Sequence, residues 1–316
     1  MNARIKQKEG ESVNRFVFAL LGLFLLAQTV AGVVQESIHS VYYRDKAIVL
    51  LYHDVVESFE PGKQNHSTVT IDQFREHLRM LKEKGFRIIT MDAFVRFMLD
   101  GKPVPANAVV LTFDDGYESF YNVAFPVLQE FGVTASNFVV GVSSDLFNPD
   151  AEPHLTWDQM RELKEKGMGI YSHTYNLHRY VQTDLQGQVG PALTSQLYLE
   201  QKKRQEDESE YRNRISTDMK FMEKRLQQEL GFQPKLLAFP FGAYNTAVVE
   251  EGGRVGIELF FTIEEGMNVP DSRFVRRINA GEPYMTAEAL WHYIKNIFEK
   301  HQNEEPKTDY RRLYNS

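Results

Sequence analysis

The sequence predicts an α/β protein built as a (β/α) barrel, complete or distorted, preceded by an N-terminal membrane-anchoring helix. Three observations carry that expectation. From residue 47 onward, short runs rich in β-branched and aromatic residues alternate with amphipathic stretches of helical period, the order of a parallel sheet with crossover helices. Seven or eight such units fit between residues 47 and 300, which is what a barrel needs. Reactive side chains also recur directly after successive apolar runs, where a barrel gathers its working groups.

Residues 1–15 hold Arg4, Lys6, Lys8 and Arg15 and read as a cytoplasmic segment. Phe16 to Val34, "FVFALLGLFLLAQTVAGVV", is 19 residues without a charge, close to the roughly 20 that span a bilayer core. The basic bias before this run keeps the N-terminus inside and exports the chain from residue 35 onward. A cleaved signal peptide is the competing reading. Thr29-Val30-Ala31 is a poor small-x-small site and the apolar run is long, which favours an anchor. The expected location is the cell membrane with the main domain outside the cytoplasm, or secretion if the signal is cut. A polar tether, 35–46, leads to the first strand.

Strands are predicted at 47–52, 86–90, 107–113, 135–140, 168–172, 235–240, 257–262 and 274–278. Between them, residues 72–84 place Phe74, Leu78 and Leu81 on one helical face. Asp72 and Thr156 stand where N-caps are useful, and Gly85, Gly132, Gly167 and Gly231 where helices should stop. Residues 179–234 form a polar excursion: a solvated loop over 179–208, then a helix over about 209–230 striped by Ile215, Met219, Met222 and Leu226. Residues 301–316 are expected to be a disordered tail.

Composition narrows the function. A net charge of −7 argues against a nucleic-acid partner, which would want a basic face. Cysteine is absent, so disulfides, thiolate metal sites and cysteine nucleophiles are excluded. Histidines and carboxylates remain as metal ligands. Four predicted strands end in conspicuous residues: His53-Asp54, Asp114-Asp115-Gly116, Ser172-His173 with His178 five residues on, and Pro240-Phe241-Gly242. Each has a bland reading alone, since DDG is a common turn and a strand-end histidine is usually just hydrogen-bonded. Their joint placement favours chemistry. One carboxylate and two imidazoles leave a catalytic Zn²⁺ an open position for water, and the other carboxylate is then free to act as base.

"TFDDG" (112–116), "SHTYNLH" (172–178) and "FPFG" (239–242) resemble the successive motifs of the polysaccharide deacetylases with NodB homology, carbohydrate esterase family four. The resemblance runs from residue 47 to about 280 and is closest to the poly-N-acetylglucosamine deacetylases of biofilm matrix systems, the IcaB and PgaB type. It implies a distorted (β/α)₇ barrel, Asp114 as catalytic base, and Asp115, His173 and His178 as ligands of a divalent metal, Zn²⁺ first with Ni²⁺, Co²⁺ or Fe²⁺ as alternatives. It also implies Pro240 and Phe241 beside the site, with the Phe241 backbone N–H aimed at the oxyanion. The implied partners are an N-acetylglucosamine polymer and a polymer synthase or export machinery; the membrane is expected as a partner through the N-terminal helix.

The chain departs from the broad family pattern at three points. The Trp that often lines the acetyl pocket is unmatched, because Trp157 and Trp291 read as helix residues. The Arg usual in the third motif has Ala238 near its position, and the late Leu-x-x-His is unmatched, because no histidine lies between 178 and 292. His292 reads as a surface or packing residue of the last helix. That leaves His53 as candidate proton donor, with a structural hydrogen bond as its bland alternative. Two other functions stay open: deacetylation of peptidoglycan or chitin oligomers, and a catalytically silent carbohydrate-binding module.

Overall fold

The computed structural model describes residues 40–59, 66–146 and 148–303. The predicted cytoplasmic segment, the anchor Phe16–Val34, the tether as far as residue 39 and the tail from residue 304 lie outside them. Residues 301–303 continue the last helix. Among the described residues, no helix is long and apolar enough to cross a membrane.

Nine strands make one parallel sheet: β1 (Ala47–Tyr52), β2 (Arg87–Ile88), β3 (Ala108–Asp115), β4 (Ser136–Val139), β5 (Gly169–Ser172), β6 (Leu236–Ala238), β7 (Leu259–Phe261), β8 (Phe274–Val275) and β9 (Ile278–Asn279). Their order is β8-β7-β6-β5-β4-β3-β1-β9, with β2 also on β3. A flat sheet would set the outermost of those eight in-line strands roughly 34 Å apart. Yet β8 and β9 are joined only through Arg276 and Arg277, and three residues of chain reach about 11 Å at most. The sheet must therefore curl. The predicted single strand 274–278 breaks in two because its ends serve opposite edges: Val275 pairs with Phe261, whereas Ile278 pairs with Leu50.

Side chains alternate across this curled sheet as period two requires. Ala47 and Val49 of β1 join Phe138, Tyr171, Ala238 and Phe261 in one buried cluster. Helix α2 (Met91–Asp100) plugs that cluster, with Phe94 ringed 6.4 Å from Phe261. Ile48, Leu50 and Tyr52 face the other way, against the outer helices α1 (Ile71–Glu83), α3 (Phe125–Phe131) and α8 (Ala287–Asn303). The predicted helix over 72–84 thus forms one residue earlier. Its cap is Thr70, not Asp72: the Thr70 hydroxyl accepts from Gln73 N–H and the Gln73 side chain reaches back to Thr70 N–H. Asp72 instead sits in the first turn, where its charge suits the helix dipole. Thr156 does cap its helix, α5 (Trp157–Glu165), which comes after the short α4 (Gly141–Asp145).

The polar excursion is not a solvated loop throughout. It makes two antiparallel ribbons, Tyr180–Gln182 with Val189–Pro191 and Tyr198–Leu199 with Arg204–Gln205. Val181, Ala192 and Leu193 are buried in a third cluster with Tyr211, Ile215 and Met219 of α6 (Glu208–Leu230) and with α7 (Thr246–Val255). A few apolar residues spaced among many charges suffice to fold it back.

Candidate active site

The parallel register brings the expected residues to one rim. Tyr52 lies beside Phe113, so His53 comes level with Asp114; Asp115 lies beside Val139, and Val139 beside Ser172, so His173 comes next. Asp115 ends β3 with φ at 74°, left-handed for a residue with a side chain, a strain of about 1–3 kcal/mol. Gly116 after it has φ 79°, and a Cβ there would stand 3.0 Å from Val139, so glycine is required at this turn.

Asp115 Oδ1 faces two imidazoles, 3.4 Å from His173 Nε2 and 3.2 Å from His178 Nε2. His173 Nδ1 lies 2.9 Å from the Ala238 carbonyl, which can only accept, so Nδ1 carries the proton and Nε2 offers its lone pair. The five-residue spacing works because residues 173–178 form a tight loop with Thr174 at φ 71°. Tyr175 and Asn176 N–H donate to Asp218 of α6 (2.8 and 2.9 Å), and Leu177 N–H to the Thr174 hydroxyl.

These residues fit a divalent ion. Asp115 Oδ1 is buried and makes no hydrogen bond among the described residues, an expensive state for a carboxylate with nothing positive beside it. The three donors lie within 4.8 Å of one another. Donors each about 2.1 Å from a tetrahedral ion would stand about 3.4 Å apart, close to the observed contacts. Burial works to raise the Asp115 carboxyl, but the two imidazoles that face it hold it below the ordinary range. Burial first, then the neighbouring His173, push His178 down to about 4, which leaves it a neutral donor at neutral pH.

Asp114, buried beside this set, receives a bidentate clamp that the sequence does not announce. Arg277 donates from Nη1 and Nη2 to its two oxygens at 2.7 Å each, and from Nε to the Thr262 carbonyl. Burial favours the protonated acid; the charge and hydrogen bonds of Arg277, with the neighbouring His173 and His53, together outweigh it, and the net shift is downward. No Arg stands at Ala238; the guanidinium that meets Asp114 arrives from the β8–β9 step. The available signal was two successive arginines inside an apolar run.

The remaining candidates occupy the same rim. His53 Nδ1 is buried with no partner among the described residues, and the neighbouring Asp54 accepts from the Ser119 hydroxyl at 2.6 Å. Pro240 and Phe241 form a tight turn with Phe241 at φ 58°. The Phe241 ring packs tilted against His178, with centroids 4.4 Å apart, so its side chain lies at the site. Tyr117 was not foreseen: burial first, then the Asp115 and Asp54 charges, raise its phenol and keep it neutral. His292, expected at a surface or packing position, stands exposed on α8 beside Glu288.

Fold and site together define a class: a curled parallel α/β sheet whose strand ends gather one carboxylate and two imidazoles, with a second, arginine-held carboxylate beside them. The chain belongs to the polysaccharide deacetylase family, which matches over residues 101–260. It is 32% identical over 231 residues to the poly-beta-1,6-N-acetyl-D-glucosamine N-deacetylase of Escherichia coli K12, across 70% of this chain and 34% of that one. The chain thus spans about a third of the length of the first curated relatives it matches. Among solved structures, a de-N-acetylase from Aggregatibacter actinomycetemcomitans is 28% identical with a TM-score of 0.71, over 80% of this chain and all of that one. The BpsB deacetylase domain from Bordetella bronchiseptica is 29% identical with a TM-score of 0.64, over 74% and 95%.

Proposed function

We propose that this protein is a metal-dependent hydrolase that removes acetyl groups from N-acetylglucosamine residues of an extracellular polysaccharide, poly-β-1,6-N-acetylglucosamine of a biofilm matrix. One observation carries the proposal: an unpartnered buried Asp115 oxygen facing two imidazole nitrogens, with Asp114 held ionised next to it by Arg277. The named relatives supply the substrate, since the E. coli protein is named for this polymer. The curled sheet is taken as a distorted (β/α)₇ barrel.

Asp115, His173 and His178 would hold the ion, proposed as Zn²⁺. Bound there, it would lower the pKa of a water and polarise the acetamide carbonyl. Asp114 takes the proton of the attacking water as general base. The water oxygen bonds to the amide carbon, the C–N bond breaks, and acetate leaves the sugar as a free amine. The Phe241 backbone N–H would donate to the oxyanion, a contribution of about 3 kcal/mol for such a donor. His53 is the proposed donor of the proton that the leaving nitrogen needs, on the strength of its unpartnered buried nitrogen beside Asp114. The apolar run Phe16–Val34 is proposed to hold the enzyme at the outer face of the membrane, where newly exported polymer passes.

The test is acetate release from β-1,6 and β-1,4 N-acetylglucosamine oligomers, with and without a chelator. Release that survives complete metal removal refutes the mechanism. Preference for the β-1,4 oligomers moves the substrate to chitin or peptidoglycan.

A further inference from the structure

We infer that Tyr180 and Phe241 form a sugar subsite that holds the pyranose ring next to the one being deacetylated; this rests on the function proposed above. Four rings run outward from the candidate metal centre. His173 and His178 lie 4.9 Å apart by centroid, Phe241 stands 4.4 Å beyond His178, and Tyr180 4.7 Å beyond Phe241. The first two are metal-ligand candidates. The last two are open to solvent, 39% exposed for Phe241 and 57% for Tyr180.

That exposure is built into the backbone. Phe239, two residues before Phe241, is fully buried and stacks on Phe260, so the turn had an inward position available for an aromatic ring. Phe241 instead faces outward from a left-handed φ of 58°, a conformation that costs about 1–3 kcal/mol without a compensating function. Tyr180 is fixed by strand alternation: Val181 is buried in the third cluster, so its neighbours Tyr180 and Gln182 must point out. The ribbon pairing of Tyr180 with Pro191 holds that orientation.

The chemistry selects a sugar. An aromatic face carries negative quadrupole density and accepts C–H groups of positive character, which a pyranose presents on its apolar side. The same face attracts a cation, so a glucosamine unit already freed of its acetyl group would also be held. The ring row starts at His178, which places this subsite one position along the polymer from the reacting acetamide.

The test compares binding of the β-1,6 N-acetylglucosamine pentamer and of the monosaccharide by calorimetry, in an Asp114→Asn background that does not consume them. Adding Tyr180→Ala is expected to weaken the pentamer at least about tenfold and leave the monosaccharide unchanged. Tyr180→Phe should restore the pentamer. Pentamer affinity within twofold of the parent in Tyr180→Ala overturns the subsite, as does equal loss for both sugars. Should the enzyme with Asp114 intact release no acetate while Tyr180→Ala still weakens the pentamer, the proposed activity fails and the subsite stands.

Discussion

Arg277 and Asp114 share a buried charge pair, and neither is comfortable without the other. The Arg277 side chain is fully buried and its partner nearly so. Removing one member of such a pair costs about 3–5 kcal/mol, because the survivor stays charged and unsolvated. Arg277→Met is therefore expected to lose about that much stability in urea unfolding. Arg277→Met combined with Asp114→Asn should recover most of it, and equal loss in both proteins would contradict the account. The two aspartates should separate by experiment as well. Asp115→Ala should abolish metal uptake, whereas Asp114→Asn should keep full metal content and lose roughly 10²–10⁴-fold in turnover, the range for a general base. Metal analysis beside acetate release reads both. Asp114, Asp115, His173 and His178 were legible because each stands directly after an apolar run or in the loop leading from it. Arg277 was not: it meets Asp114 across 163 residues of sequence, and nothing local says where its side chain points.

At the scale of elements, helix α6 supports the metal loop and carries one uncompensated acid. Asp218 accepts two N–H groups from the loop that separates His173 from His178. Asp218→Ala frees both donors and is expected to weaken metal binding roughly tenfold, from about 1–3 kcal/mol per unsatisfied group. Competition with a chromogenic chelator measures it, and unchanged affinity would show that the loop holds itself. Glu223, one turn along, is buried beside Met222 with Oε1 unpartnered among the described residues. Burial raises its carboxyl from 4.5 to about 7; the Lys235 charge opposes that and Glu258 adds to it. The folded state therefore binds a proton that the unfolded chain has released. The stabilisation is complete below pH 4.5, is lost as pH rises to about 7, and amounts to about 3 kcal/mol. Glu223→Gln should flatten the pH dependence of unfolding free energy across that window by this amount, and an unaltered slope would refute it. The hydrophobic stripe of α6 was readable from its period. The ribbons before it were not, since pairs of two or three residues leave no periodicity to read.

For the molecule as a whole, the curl of the sheet links the metal centre to global stability. The candidate ligand set joins the end of β3 to the loop after β5, across β4, and the Arg277 clamp ties β3 to the step where the two outer strands meet. The alternation of strands and helices made a parallel α/β sheet legible in the sequence. The meeting of β8 and β9 through two arginines was not, because only the three-dimensional closure assigns them to opposite edges. An ion held by residues from separate strands binds the folded chain and finds no such site once it unfolds. At a free ion concentration about 100 times the dissociation constant, it adds about 2.7 kcal/mol. For a domain of this size, that corresponds to a rise of roughly 5–10 °C in the unfolding midpoint. Zn²⁺ is expected to raise the midpoint of the parent and of Asp114→Asn, and a chelator to reverse the rise with far-ultraviolet circular dichroism unchanged. Asp115→Ala should show no rise at all. If Zn²⁺ stabilised Asp115→Ala as much as the parent, the ion would be binding elsewhere and the three-residue centre would be refuted.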